Sequence, residues 1–577
     1  MQEGRRGRAT PNSVLTSTGN WFTQRMPTRT GIGAPVYWAT AILVSLAIIY
    51  PAWMSIYAAF TESGRFSVGG FQRMMQHPSI GREIATTLLF ASGATLGATA
   101  IGVPLAWINA RTDVPGRRLL EVLCVIPLFI SAFVGAMAWR LLLVPRAGMI
   151  TRLLTDWGWP PELLPDVYSI TSMIVIQSIF YSPFMYLYTV ASIRQMDPSL
   201  EEVARIHGAG PWQTLWRITL AVNGPALLSG MLLVFVFTVG TLEIPMALGI
   251  AGGNYVISTR IWTLMSDYPQ DLTMAASLGI LAVLIAGTGI WLQRRILGDR
   301  NFTTVSGKGY RARRVKLGKW RWPAFGLVLS YATIAVVAPL IVLVLVGLQK
   351  YWAGVFKLEL FTLDNFRSVL FEYDVTRRAI ANSMIACTGA ATISVFMAVI
   401  LSQTKSRRGE SLMGMLVLLP IAIPGAVFGM MVLFAFVRTP IYNTLYIIMF
   451  AYVIGYFYLA YRTVYSVRLS IHDELEQSAR IHGATWWKST YRILFPLLRP
   501  GIYSAWLMTF VVLVREFSSV MFLYRNGTEV MSVLFYLLME RHSARLAAFM
   551  VIQTAILLIV MVIFQRISAR GSGAIAV

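Results

Sequence analysis

Two acidic side chains stand inside long apolar segments, where a charge is costly and is usually retained for a function. Glu243 and Glu516 each come near the end of an apolar run of helical length, and Arg515 directly precedes the second of them. This placement predicts both carboxylates for the outer part of a membrane-spanning helix. There they could line an exit funnel or contact a cation. The alternative is a structural ion pair with Arg260 or with Arg515.

Other chemistries lack the residues they need. The two Gly-Lys pairs, at 307–308 and 318–319, are not followed by Ser or Thr, so the sequence has no phosphate-binding loop of the ATPase type. The five histidines form no metal-binding pair, and Cys124 and Cys387 both fall in apolar runs. The sequence therefore predicts a conduit without catalytic residues, metal or cofactor, whose energy comes from another protein.

The composition is that of a membrane protein. Hydrophobic residues make up 56% of the chain and charged residues 13%, against roughly 25% charged residues in soluble domains. The mean hydropathy is +0.63. The net charge of +23 would also suit nucleic acid, but the basic residues stand in short loops between apolar runs, as membrane topology requires. The composition favours a lipid bilayer as the partner and excludes nucleic acid.

Twelve apolar stretches have the roughly 20 residues that a spanning helix needs. They predict an all-α membrane protein with six spans in each half of the chain. We expect these spans at 35–60, 83–110, 119–144, 168–193, 218–249 and 272–292, and at 323–348, 379–402, 412–437, 441–467, 501–524 and 544–564.

Basic residues predict the orientation, because cytoplasmic loops carry an excess of Lys and Arg. The N-terminal tail, 1–34, and the stretch 294–322 are strongly basic, whereas the loops on the opposite side are acidic or balanced. Both termini, including the tail 568–577, are therefore expected in the cytoplasm. The stretch 294–322 is expected to be a solvated linker, in preference to a contact with lipid headgroups. The first span is expected to be an uncleaved helix.

One polar hexapeptide occurs twice. The sequence A-R-I-H-G-A at 204–209 returns unchanged at 479–484, 275 positions later, and further matches follow at the same offset. Each copy predicts a short helix that ends at a glycine in the left-handed conformation, Gly208 or Gly483. The apolar stripe of such a helix is too narrow for burial in a membrane. Since neutral loops of duplicated halves diverge fastest, the repetition favours docking on a partner over a passive connection.

The segments 197–221 and 472–496, here called the first and second repeat loops, resemble the cytoplasmic EAA loop of ABC-transporter permeases. That pattern is E-A-A, three residues, G, nine residues, and I-x-L-P. The first loop reads E-V-A, G and I-T-L-A, and the second reads Q-S-A, G and I-L-F-P. Gln477 replaces the glutamate of the pattern, and Ala221 replaces its final proline. The resemblance implies that a cytoplasmic ATPase docks on Glu201, Glu202, Ala204 and Gly208, and on Glu476, Gln477, Ala479 and Gly483.

The resemblance extends over nearly the whole chain. Two fused six-span halves, with L-E-I-P at 242–245 and R-E-F-S-S at 515–519, are similar to the iron(III) transport permease group. It implies two type I importer permease domains, at 35–293 and 323–567, in a bacterial inner membrane. The implied partners are two ATP-binding cassette subunits and a periplasmic binding protein. Ferric iron is the favoured cargo, with thiamine, phosphonate or another small solute as alternatives.

A self-sufficient secondary transporter is the alternative of a different class, since such proteins also combine twelve spans with internal symmetry. That class would be expected to carry coupling carboxylates near the membrane midplane and to work without a partner. In this chain the repeats run parallel, and the shared sequence lies in a loop. The pattern therefore favours the importer.

Several polar and small residues of the spans have an expected structural role. Interhelical hydrogen bonds are predicted for Asn109, Gln177 and Asn382. Glycines four residues apart predict close helix packing at Gly93 with Gly97 and at Gly425 with Gly429. Anchoring at the membrane surface or toward lipid is favoured over stacking on an aromatic cargo for five tyrosines: Tyr452, Tyr456, Tyr458, Tyr461 and Tyr465.

Overall fold

The structure is a computed structural model that describes residues 33–197, 199–297, 315–352, 354–402, 416–417, 419–472, 474–539 and 542–571. The predicted N-terminal tail up to residue 32, most of the predicted linker and the last six residues lie outside the described part of the chain. The beginning of the ninth predicted span also lies outside it.

Helices make up almost all of the described secondary structure, which confirms the all-α prediction. Those of the first half are α1 Gly33–Ala59, α2 Gly69–Gln76, α3 Ile80–Arg111, α4 Arg117–Val125, α5 Ala132–Leu143, α6 Met149–Asp156, α7 Ile170–Gln195, α8 Ser199–Ile206, α9 Pro211–Thr214, α10 Leu220–Val222, α11 Gly224–Gly240, α12 Ile257–Ser266 and α13 Leu272–Leu297.

The second half follows. Its helices are α14 Arg321–Ala332, α15 Ala338–Gly347, α16 Asp364–Arg367, α17 Asp374–Leu401, α18 Gly425–Phe436, α19 Leu445–Leu469, α20 Glu474–Ile481, α21 Trp486–Ser489, α22 Phe495–Arg515, α23 Met531–Met539 and α24 Ser543–Gly571. A short antiparallel hairpin that the sequence did not predict, β1 Thr61–Glu62 with β2 Arg65–Phe66, follows α1.

Within the described residues, nine helices are long and apolar enough to cross a membrane, or eleven if each of two bent pairs is one span. These segments coincide in order with eleven of the predicted spans. The remaining predicted span, 412–437, contains the shorter apolar helix Gly425–Phe436. The number twelve stays a prediction, because the beginning of that span is not described.

Both bends occur where the helical hydrogen bonds are interrupted. Arg117–Phe129 and Ala132–Leu143 meet at 94° beside Pro127, which has no amide hydrogen to continue a helix. The second bend, of 69°, separates Leu215–Val222 from Gly224–Gly240 at Asn223. The Asn223 amide group donates to the Thr219 carbonyl at 2.6 Å and fixes this break.

The first span of each half packs on the other half. The Tyr50 hydroxyl of α1 donates to the Ala435 carbonyl of α18 at 3.2 Å, and its ring lies 5.7 Å from that of Phe436. In the opposite direction, the Tyr331 hydroxyl of α14 lies 2.9 Å from the Ser182 hydroxyl of α7. The two halves are therefore interlocked rather than merely adjacent.

Glycines allow the close approach of α3 and α7. A Cβ atom on Gly97 would lie 2.2 Å from Ser178 Oγ, and one on Gly102 would lie 2.6 Å from the Ser182 carbonyl oxygen. Gly93 faces Ile174 in the same way. The predicted glycine packing is confirmed here.

We expect Gly102→Val to destabilise the folded protein, because its Cβ would collide with backbone atoms of α7 rather than with a movable side chain. Overpacking of this kind costs about 1–3 kcal/mol. Thermal unfolding in detergent, followed by helical circular dichroism, measures the effect. The control is Gly287→Val in α13, where a Cβ atom meets nothing within 4 Å. Equal unfolding temperatures for the two variants would contradict the packing argument.

Candidate functional site

The two repeat loops fold in the same way. Gly208 and Gly483 have φ angles of +83° and +77°, which a residue with a Cβ atom rarely adopts. The amide of the next residue donates to a carbonyl five positions back in both loops, at 3.0 Å. The rings of His207 and His482 also make the same contact, with Nδ1 2.9 Å and 2.8 Å from the carbonyl oxygen four positions back. The predicted helix and glycine termination are confirmed.

After this turn, each loop enters the fifth span of its half through a π-helical turn. The two turns, Leu215–Thr219 and Thr490–Leu494, stand at positions 275 apart. The identical hexapeptides therefore belong to a longer structural repeat that extends into the membrane-spanning part.

Both repeat loops present matching apolar side chains to the exterior. The side chains of Ile206 and Ile481 are 82% and 83% exposed. The other exposed large hydrophobic residues that match at the same offset are Leu200 with Leu475, and Trp216 with Tyr491. Ile206 and Ile481 belong to the narrow apolar stripe that the sequence predicts for the loop helices, whereas the other four side chains were not predicted, although the offset of 275 pairs them. Two equivalent exposed faces of this kind suit two copies of one partner.

Glu201 lies inside the protein rather than on that face. Its carboxylate accepts a hydrogen bond from the Thr219 hydroxyl at 2.8 Å and lies 3.4 Å from Arg111 Nε. The Arg111 guanidinium also donates to the Ile193 carbonyl at 3.0 Å. This buried network ties the first repeat loop to the ends of α3 and α7. Glu201 therefore attaches the first repeat loop to the end of α3 through Arg111.

The other residues implied for docking lie nearer the surface where they are described. Glu202, Ala204 and Ala479 are half-buried, and Gly208 and Gly483 are exposed. The side chains of Glu476 and Gln477 lie outside the described part of the chain.

The three charged residues predicted for the passage come together at the boundary of the two halves. Glu243 and Glu516 are both buried, and the charged neighbours of Glu243 are Arg515 and Glu516. Of the two structural alternatives, pairing with Arg260 is wrong, because Arg260 Nε donates to the Glu83 carboxylate at 2.9 Å. Arg515 therefore supplies the positive charge beside Glu243.

Hydrogen bonds within the second half and between the two halves fix this arrangement. The Glu516 carboxylate accepts from the Ser519 amide and hydroxyl, both at 2.9 Å. The Arg515 guanidinium donates to the carbonyl of Leu128, which lies between α4 and α5 of the other half. The Leu242 amide donates to Ser518 Oγ at 3.0 Å. The segments that follow the fifth spans thus contact each other and the bent third span.

Two tyrosines that the sequence analysis did not assign to the passage complete the site. Tyr181 of α7 lies beside Glu243, and Tyr456 of α19 lies beside Glu516. Since α7 and α19 begin at 170 and 445, the two tyrosines are equivalent positions. The same offset pairs the other polar members of the site. We call the following set the junction ring: Tyr181 with Tyr456, Thr241 with Glu516, and Glu243 with Ser518.

The single polar residues of the spans have different outcomes. Asn109 Nδ2 donates to the Tyr186 hydroxyl at 3.0 Å, and Asn382 Nδ2 donates to the Glu529 carbonyl at 2.9 Å. Hydrogen bonding of these two asparagines to other segments is confirmed. For Gln177 the prediction is wrong, because its buried side chain lies beside Tyr181 of the same helix and makes no hydrogen bond to another helix within the described part of the chain.

The five tyrosines of α19 do not share one environment. Tyr452 and Tyr461 are buried in the protein, so anchoring toward lipid or the membrane surface is wrong for these two. Tyr456 belongs to the junction ring. The positions of the tyrosines along the sequence did not distinguish the face of α19 that packs on the other spans.

Comparison with known sequences assigns the family. The family of binding-protein-dependent transport system inner membrane components matches at residues 93–349 and 390–572. The chain belongs to this family. This confirms the resemblance drawn from the repeat loops, and the protein is a multi-pass membrane permease of an ABC importer with two fused domains.

Individual permeases resemble either most of the chain or a part of it. It is 23% identical over 508 residues to the putative ferric transport system permease protein FbpB 1 of Haemophilus influenzae, covering 86% of the chain and 78% of that relative. It is 24% identical over 503 residues to the ferric transport system permease protein FbpB of Actinobacillus pleuropneumoniae, covering 85% and 71%. The molybdenum transport system permease protein ModB of Escherichia coli is 27% identical over 221 residues, covering 37% and 93%.

We expect Arg111→Gln to loosen the first repeat loop of this permease, since removing one partner of a buried ion pair costs about 3–5 kcal/mol. Hydrogen exchange should become faster at 199–219 and stay unchanged at 474–494, which serves as an internal control. The exposed neighbour Arg118→Gln is the matched control variant. Unchanged exchange in the first loop of the Arg111 variant would show that the buried network does not hold it.

Proposed function

We propose that this permease forms the translocation path for ferric iron, which a periplasmic binding protein delivers, and that two cytoplasmic ATPase subunits drive transport by docking on the two repeat loops. The matched exposed faces of the loops carry this proposal. A docking face needs accessible apolar side chains, and Ile206 and Ile481 supply them at equivalent positions. Permease domains at 35–293 and 323–567, with both termini and the linker 294–322 in the cytoplasm, complete the proposed topology.

Each repeat loop is connected to the passage through the fifth span of its half. α11 follows the first repeat loop and ends at Gly240, directly before the junction ring, and α22 follows the second and ends at Arg515. At 1.5 Å per residue, these helices reach roughly 25 Å and roughly 30 Å. Because a helix is stiff along its axis, a displacement of a loop by its ATPase would be transmitted to the ring.

Ferric iron is supported by two observations. Relatives matching 85–86% of the chain are named ferric transport permeases, whereas the molybdenum permease matches 37%. The site between the halves also holds two carboxylates against one arginine, which favours a cation over an oxyanion. Thiamine, phosphonate or another small solute remains the alternative within the same transport class.

Uptake should depend on the ATPase. Proteoliposomes that contain the chain together with its ATPase and the iron-loaded binding protein should take up iron when ATP is supplied. Proteoliposomes with the chain alone should take up none, whether or not an ion gradient is applied. Gradient-driven uptake by the chain alone would instead identify a secondary transporter, the class that can use buried carboxylates for coupling.

Gly208→Val combined with Gly483→Val should uncouple the ATPase while leaving membrane insertion intact. A Cβ atom meets nothing within 4 Å at either glycine, so the effect is conformational: a left-handed backbone costs a β-branched residue about 1–2 kcal/mol. The measurement is iron uptake and co-purification of the ATPase. Gly210→Val, at a glycine that is also open but has no positive φ, is the matched control. Normal uptake in the double variant would count against docking at these loops.

A further inference from the structure

The junction ring lies on the axis that relates the two halves. Each of its members has its equivalent from the other half in the same ring, and the Leu242–Ser518 hydrogen bond of 3.0 Å joins the two stretches. The backbone is also close here, because a Cβ atom on Gly240 would lie 2.5 Å from the Gly425 amide nitrogen. When two halves move relative to each other, a passage opens and closes where they meet. A cargo that crosses between the halves must pass this ring.

Polar groups beside the ring point to a ligand. The Gln177 side-chain amide and the Thr241 hydroxyl are buried, and both lie beside the Tyr181 hydroxyl. Neither side chain makes a hydrogen bond of standard length and angle within the described residues. Gln177 lies one turn before Tyr181 on the same face of α7. At membrane depth an unsatisfied polar group costs several kcal/mol unless it lines a polar space. These groups are therefore suited to contact a polar cargo that the ring admits.

Negative and positive charges are not balanced at the junction ring. Two carboxylates, Glu243 and Glu516, face one guanidinium, that of Arg515. The hydrogen bonds from Ser519 already stabilise Glu516 within its own segment. Arg515 is the positive charge near Glu243, although the described residues show no hydrogen bond or ion pair between the two, and its guanidinium donates to the carbonyl of Leu128 on the other half. A cationic cargo at Glu243 would therefore replace the attraction of an arginine that does not contact the carboxylate directly.

We propose that the junction ring is the selectivity element of the passage, that it admits metal cations coordinated by oxygen, and that Arg515 is the internal counter-ion which the cargo displaces from Glu243. This rests on the proposed importer function and names the chemistry of its path. Carboxylate and phenol oxygens are suitable ligands for hard cations.

The complete transporter tests the selectivity. Proteoliposomes with the chain, its ATPase and the binding protein loaded with radioactive iron(III) are compared for Glu243→Gln and for Tyr181→Phe with Tyr456→Phe. Iron uptake per ATP hydrolysed should fall roughly tenfold or more, because each change removes an oxygen donor or a charge from the passage. Tyr458→Phe, two residues further along α19 and beside Tyr188, should transport as the unmodified chain does. Uptake at the unmodified rate in both ring variants overturns the proposal.

A second measurement does not depend on the cargo. Tyr181→Cys is introduced with Cys124→Ala and Cys387→Ala, and a water-soluble maleimide is applied with and without ATP. Labelling should occur during turnover at Tyr181→Cys and not at Ser178→Cys, which packs against Gly97. If no labelling occurs, the ring does not line the passage and the proposal fails.

The two measurements separate the two proposals. If Tyr181→Cys is labelled during turnover and the unmodified transporter moves no iron, the ring stands as the passage and ferric iron is the wrong cargo. If the unmodified transporter moves molybdate and not iron, the cation selectivity is overturned. Iron uptake together with labelling supports both.

Discussion

Two similar halves of one chain that meet face to face must place equivalent residues on opposite sides of a single axis. The offset of 275 positions relates α7 to α19, α8 to α20 and the two π-helical turns. It therefore relates the exposed faces of the repeat loops as well as the members of the junction ring. The first spans reinforce the pairing, because α1 and α14 each pack on the other half. The geometry of the whole protein depends on this paired contact.

The fifth span of each half connects a repeat loop to the junction ring. α11 and α22 begin at the repeat loops and end at the junction ring. The halves differ at these helices: Asn223 bends the first fifth span, whereas Thr490–Arg515 is continuous. Arg515 likewise stands where the first half has Gly240. The pairing is therefore symmetric in backbone and asymmetric in charge, because only the second half has an arginine at this position.

Much of the fold follows from local sequence. The spans can be predicted because lipid requires long apolar runs. The turns of the repeat loops can be predicted because a left-handed backbone favours glycine, which is present at Gly208 and Gly483. The burial of Glu201 could not be predicted from the sequence, since its partner Arg111 stands 90 positions earlier and only tertiary packing brings the two together. Tyr181 was missed because a single tyrosine in an apolar helix carries no local signal, and Tyr456 was not distinguished from the four other tyrosines of α19. The offset alone would have selected them.

Cross-linking of the repeat loops to the ATPase tests the central claim most directly. Cysteine is placed at Ile206 or at Ile481 in a chain that lacks its two native cysteines, and a short bifunctional thiol reagent is applied to the assembled transporter. The account predicts that each position cross-links to an ATPase subunit, and that the variant with both cysteines captures two ATPase subunits per chain. Capture at neither position, or at one position only, would contradict a motor that acts through two equivalent faces.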